Sequence, residues 1–290
     1  MKKEQILKRL QEAEELKDCV ITEGRSKRLD TKDTWCISIF PNGSSTGIIM
    51  HRGCFSEDNP VQDVLNALKG KELREKLLHK AEDMDLGEFL SNLYVEAYNF
   101  NTVRDKLDNF VYIQKDDIVL VLCLLLYQDS EGIMSAKVSH GLLGLKDLAV
   151  AASELIQLAA LNTAILFGMT FEKIDQFMIK RNLLSSDLET VINPNPNAVQ
   201  LYILTVKTHL HGASLIFTKE MQQAVFNAVG PYYVLPSSIH EVMILTNEPF
   251  NKYNSNRVKE LVKEGNSFVQ ENEVLSENVY YFDGNKLILC

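Results

Sequence analysis

The stretch Pro236-Ser237-Ser238-Ile239-His240-Glu241 sets two hydroxyls, an imidazole and a carboxylate within a few positions of one another. Those side-chain types could perform hydrolysis, with Ser238 as nucleophile and His240 as its base, or with Glu241 as a general acid or base. Two features argue for a quieter role. Residues two apart on a strand point the same way without orienting as nucleophile and base, and the Gly-x-Ser-x-Gly elbow of hydrolases is absent. The segment is therefore expected to be a polar turn between two strands. In that reading Ser237 or Ser238 bonds main-chain groups and His240 anchors the strand that follows.

His209-Leu210-His211 places two imidazoles at strand-like spacing, and His240 or Glu241 could complete a metal site with them. Their position just before Gly212 suits a hairpin turn instead, where polar residues belong in any case. The carboxylates Glu82, Asp83, Asp85 and Glu88 are clustered but lack the pattern of a calcium loop, and read as a charged helix junction. Gly141-Leu-Leu-Gly144 lacks the Gly-Lys-Ser/Thr or Gly-x-Gly-x-x-Gly continuation of a phosphate loop. No cofactor or metal is expected. The candidates are Ser237, Ser238, His240 and Glu241 for catalysis, and His209 with His211 for a metal.

Composition narrows the classes further. The chain has 290 residues, 46% hydrophobic and 24% charged, enough to bury a core without metal or disulfides. Its formal charge of −9 is spread along the sequence, so the basic footprint of a nucleic-acid binder is missing and no nucleic-acid partner is expected. The densest basic cluster, Arg25, Lys27 and Arg28, lies beside Glu23 and Asp30 and reads as a solvated loop. Five cysteines, none at Cys-x-x-Cys spacing, suggest neither a disulfide framework nor a zinc knuckle. The opening residues lack the apolar core of a signal peptide. The longest apolar run, Ile118–Tyr127, is too short for the ~20 residues that span a bilayer. A cytoplasmic protein is expected, not associated with a membrane.

Periodicity supplies the elements that must position these residues. Helices are expected over residues 2–17, from Pro60 to Leu68, around Leu73, Leu77 and Leu78, and along Phe89, Leu90, Leu93 and Ala97. Trp35–Phe40 and Gly47–Met50 read as a hairpin whose connection holds Asn42-Gly43. Ile118–Tyr127 reads as a strand covered on both faces and paired with Ile133–Ser139, and a helix follows from Leu145 to Thr163. Val191–Asn197, with Pro194 and Pro196, reads as a linker. Beyond it come expected strands at Leu201–Val206 and Ala213–Phe217 and a helix at Met221–Val229 ending at Gly230. Strands at Tyr232–Leu235 and Val242–Leu245 are followed by a helix carrying Val258, Leu261 and Val262. A last hairpin, Val279–Phe282 with Leu287–Leu289, turns at Asp283-Gly284-Asn285. The order favours an α+β fold: largely antiparallel sheet with helices packed on one side, after a helical N-terminal region. Residues 1–190 would form a helical and α/β region and residues 197–290 an α+β domain, unless one fold runs through both.

The most distinctive segment, Tyr233-Val-Leu-Pro-Ser-Ser-Ile-His-Glu-Val-Met-Ile-Leu245, resembles the signature of an uncharacterised bacterial family, domain of unknown function 5688. Leu201-Tyr-Ile-Leu-Thr205, Gly212-Ala213, Val274-Leu-Ser-Glu-Asn-Val-Tyr-Tyr281 and Ala160-Leu-Asn-Thr163 are similar as well. The resemblance is close over residues 115–290 and loose over the first hundred. Where the family shows a Thr-Asn pair, this chain has Thr205-Val206-Lys207. The resemblance implies a cytoplasmic α+β protein and carries no activity with it. The expectation is a non-enzymatic interaction or regulatory protein with a protein partner. The alternative is a hydrolase-like enzyme with a cleft at Ser238, His240 and Glu241.

Overall fold

The structure, a computed structural model, describes residues 3–25, 35–41, 48–51, 54–56, 58–128, 133–148, 150–180, 199–246 and 252–290. The Asn42-Gly43 turn, the turn at 129–132, Lys27, Arg28 and the 191–197 linker lie outside the described residues. The chain divides into two compact units, Met1–Lys80 and Ala81–Cys290.

In the first unit helix α1 (Lys3–Gln11) carries Ile6 and Leu10 inward, one turn apart. Strands β1 (Cys19–Arg25), β2 (Trp35–Pro41) and β3 (Ile48–His51) form an antiparallel sheet in that order. β1 stands where no element was expected. Ile6, Leu10, Leu16, Ile37, Ile39, Met50 and Val64 make the core. Val64 belongs to α2 (Pro60–Asp83), which joins the two expected helices of this region into one.

The second unit opens with α3 (Leu86–Ser91), whose first turn is capped by the Asp85 carboxylate accepting from Glu88 N at 2.8 Å. The chain then turns into strand β4 (Leu93–Asn99), not into the helix expected through Leu93 and Ala97. The apolar residues there match a helix face, but they alternate equally well with Tyr94, Glu96 and Tyr98, and pairing with the long strand β6 decides. Helix α4 (Phe100–Val103), β5 (Tyr112–Lys115), β6 (Ile118–Gln128) and β7 (Ile133–Lys137) follow. β6 is the centre of this antiparallel sheet, with β4 on one edge and β5 and β7 on the other, and its residues Ile118–Leu126 are all buried.

Two helices, α5 (His140–Leu145) and α6 (Ala152–Phe167), replace the single one expected. α6 covers the free edge of β4 with side chains suited to that task. Asn162 Nδ2 donates to the carbonyls of Leu90 (2.8 Å) and Leu93 (3.0 Å), and Thr163 Oγ1 accepts from Val95 N at 3.1 Å. Main-chain groups that would otherwise be buried unpaired are thereby satisfied.

The six-stranded antiparallel sheet comprises β8 (Thr170–Lys173), β9 (Gln200–Thr205), β10 (Tyr232–Leu235), β11 (Glu241–Thr246), β12 (Tyr280–Phe282) and β13 (Leu287–Leu289). Its order is β13-β12-β10-β11-β9-β8, and α7 (Ile174–Lys180) follows β8. β8 and β9 pair although the expected linker separates them in sequence. Residues Gly212–Phe217 are a short 3-10 helix and not the expected strand. Both edges of β9 are already occupied, by β8 and β11, so a strand there would find no partner beside it. Helix α8 (Lys219–Val229) meets this sheet where Tyr232 Oη donates to Gln222 O at 3.0 Å. Helix α9 (Lys252–Asn266) brings Val258 and Val262 against Tyr233, Leu235, Val279 and Tyr281. The fold is α+β and its sheets are antiparallel. Among the described residues no helix is long and apolar enough to cross a membrane.

Candidate functional site

The corner between β10 and β11 is fastened mainly through its backbone. Ile239 N donates to Glu273 O at 2.9 Å, Leu275 N to Ser237 O at 3.2 Å, and Ser276 N to Pro236 O at 2.9 Å. Residues 273–276 thus lie along the corner almost as an extra strand, with Ser238 opposite Val274. Ser237 and Ser238 are buried, and Ser238 Oγ accepts from the main-chain N of His240 at 3.0 Å. The imidazole of His240 faces elsewhere. Its Nδ1 accepts from His211 N at 3.3 Å and its Nε2 lies 3.6 Å from Glu273 Oε1. Its carbonyl takes Gly212 N (2.9 Å) and Thr205 Oγ1 (2.8 Å). Glu241 starts β11 opposite Thr205. The structure therefore brings Ser238 and His240 together through the backbone, not as hydroxyl and base.

His209 and His211 both adopt left-handed backbone conformations, with φ of 56° and 57°. Such geometry is uncommon for residues with a side chain and worth attention when it recurs two residues apart. It also turns the two rings away from one another. His209 lies edge-on to Phe177 at 5.5 Å, whereas His211 sits 5.5 Å from the His240 ring and 5.8 Å from Tyr98. Among the described residues no three His, Cys, Asp or Glu side chains converge as a metal would need.

Behind His211 is a charged group that the sequence reading passed over. Glu96 is buried on β4, and its Oε1 accepts from Tyr94 Oη at 2.7 Å. Its Oε2 accepts a short bond from Tyr98 Oη and lies 3.5 Å from Lys137 Nζ. Lys137 Nζ also donates to Tyr98 Oη at 3.1 Å and stands over that ring. Burial pushes the Glu96 pKa up, but His211, Lys137, Tyr98 and Tyr94 outweigh it and hold the carboxyl below its ordinary value. Burial is also the largest influence on His211 and lowers its pKa, against the pull of Glu96. Burial thus favours the neutral imidazole of His211, while Glu96 favours the charged one. Burial raises both phenols and, with Glu96 nearby, pushes the Cys123 thiol well up, which makes it inert. The sequence signal for this group is Tyr94-x-Glu96-x-Tyr98: three polar-tipped residues at period two put phenol, carboxylate and phenol on one face of a strand.

The segment braced by the corner also walls an open cleft of about 710 Å³. Opposite it stand Asn99 at the end of β4, Asn101 and Thr102 of α4, Asp117 before β6, and the last turn of α9. Ser276, fully buried, ties these together: its Oγ donates to Asp117 Oδ2 at 2.8 Å and its carbonyl accepts from Asn266 Nδ2 at 3.1 Å. Asn99 Nδ2 donates to Leu275 O at 3.0 Å. Burial together with the charges of Asp117 and Asp116 pushes the neighbouring Tyr280 phenol up, so it stays protonated. Nothing local in the sequence announces this cleft, because its walls come from residues more than 150 positions apart.

The model of one family, described as a family of unknown function (DUF5688), matches residues 50–284. The match extends well upstream of the C-terminal portion where the likeness was expected to be close. No curated protein and no solved structure matches the chain.

Proposed function

The chain belongs to the DUF5688 family, for which no function is described, and from that premise we propose that it is a non-enzymatic interaction or regulatory protein whose partner is another protein, engaged at the open cleft. The observation that carries this reading is the use made of Ser238. Its hydroxyl accepts from the His240 main chain, and the corner that holds it braces the 273–276 wall of the cleft. A nucleophile needs its base on its own oxygen, and here the imidazole is directed to His211 and Glu273. The cytoplasm suits the protein, since all five cysteines are free and a reducing compartment keeps them so. The overall charge of −9 favours a protein partner over nucleic acid.

Incubating the full-length protein with a fluorophosphonate probe and weighing it intact tests the reading. We expect no adduct. Covalent labelling that disappears in Ser238→Ala would establish an activated serine and overturn the proposal in favour of a hydrolase.

A further inference from the structure

We infer that the cleft takes an extended peptide segment carrying a basic side chain. The inference rests on the interaction reading above and names the chemistry of the partner.

At about 710 Å³ the cleft falls within the range of ligand sites, roughly 300–1,000 Å³, but its walls depart from the usual apolar lining. Four amide side chains, Asn99, Asn101, Asn266 and Asn278, stand among polar and charged neighbours there. The side chains of Asn101 and Asn278 have no hydrogen-bond partner among the described residues. A side-chain amide offers one carbonyl acceptor and two N–H donors, the same groups that a peptide main chain presents. An incoming strand of peptide can satisfy each of them. A stacked sugar or base has no counterpart, since no aromatic ring lines the cleft.

Charge selects within that class. Asp117, Glu271 and Glu277 face a single cation, Lys263. Glu271 and Glu277 are exposed and have no ion-pair partner among the described residues, while Asp117 is already bonded to Ser276. A lysine or arginine in the peptide would pair with these carboxylates, and an acidic peptide would be repelled both here and by the −9 charge of the whole chain. The wall itself is held by main-chain bonds to the corner, so little ordering cost accompanies binding.

Fluorescence anisotropy on the full-length protein reads this directly, using a labelled heptapeptide of alternating glycine and arginine and a second with glutamate in place of arginine. We expect saturable binding of the first only. Glu271→Gln combined with Glu277→Gln, both at exposed positions that leave the fold intact by circular dichroism, should weaken it about tenfold, the scale of two partly exposed ion pairs. Spermidine should compete far less well than unlabelled peptide of equal charge, because it lacks the amides. Absence of binding, equal affinity for the acidic peptide, an unchanged affinity in the double variant, or spermidine competing on a par would each overturn the inference. Labelling of Ser238 would instead defeat the interaction reading, so the two failures are distinguishable.

Discussion

Glu96 is almost without water, and two phenols and an ammonium stand where water would be. Its pKa is held below the ordinary carboxylate value of about 4.3, although burial alone would raise it. The unfolded chain therefore takes up the proton first on acidification. Glu96 stabilises the fold fully above the unfolded value, and that contribution fades as pH falls through the lower folded one. Urea unfolding between pH 5 and pH 3 should show Glu96→Gln losing less stability than the parent protein; parallel losses would refute this. At pH 7, Glu96→Ala strands the buried Tyr94 hydroxyl and costs about 3 kcal/mol. His211 acts in the same direction in a higher window. Its folded pKa is lowered, mainly by burial, so stability is complete above about 6.5 and declines as pH falls from there through the folded value. His211→Asn keeps a residue that tolerates the left-handed turn and should flatten the stability profile just below neutrality. If the profile keeps its slope, the proton is taken up elsewhere.

At the scale of elements, the turn after β9 is fixed by one residue without a side chain. A Cβ on Gly212 would lie 2.5 Å from Val206 N, 2.6 Å from Thr205 Oγ1 and 2.8 Å from His240 O. Backbone blocks it on two sides, so Gly212→Ala must shift the strand or the corner and should cost about 3 kcal/mol, measured by chemical denaturation. A loss below ~1 kcal/mol would mean the turn yields freely. Asn162→Leu tests the other device, the covered edge of β4; leaving Leu90 O and Leu93 O without their donor should cost about 2 kcal/mol. These two elements also mark where sequence patterns run out. β6 announces itself by an unbroken apolar run, the last hairpin by Asp283, whose carboxylate takes Asn285 N and Lys286 N, and α8 by Gly230 at its end. Each signal is local. β4 has a local signal of the wrong kind, because Phe89, Leu90, Leu93 and Ala97 trace a helix face that only the edge of β6 overrides. Gly212–Phe217 has β-rich residues but no free edge to join. For the site, the backbone use of Ser238 follows from the chemistry of a polar turn. Glu96 is hidden because it stands within that misread strand, and the cleft because it is assembled from distant parts.

For the molecule as a whole, the hydrogen bonds that close the cleft run between the beginning and the end of the second unit. Asn99 reaches Leu275 and Ser276 reaches Asp117. β8 pairs with β9 across residues 190–197, where a domain boundary was expected. A unit tied at its extremes in this way should fold as one cooperative body, while a cut within it leaves each piece with an unpaired strand edge and unmatched buried groups. Residues 81–290, expressed as a separate chain, should therefore unfold in a single sharp thermal transition. Ala81 and Met84, buried at the end of α2, would travel with that chain. Residues 197–290 alone should show no such transition: β9 would lose β8, and Ser276 would lose the carboxylate of Asp117. Differential scanning calorimetry on the two chains separates the possibilities. A cooperative transition from residues 197–290 would show that its strands need neither β8 nor the β4–β6 sheet, and would favour a domain boundary near residue 190 over one continuous fold.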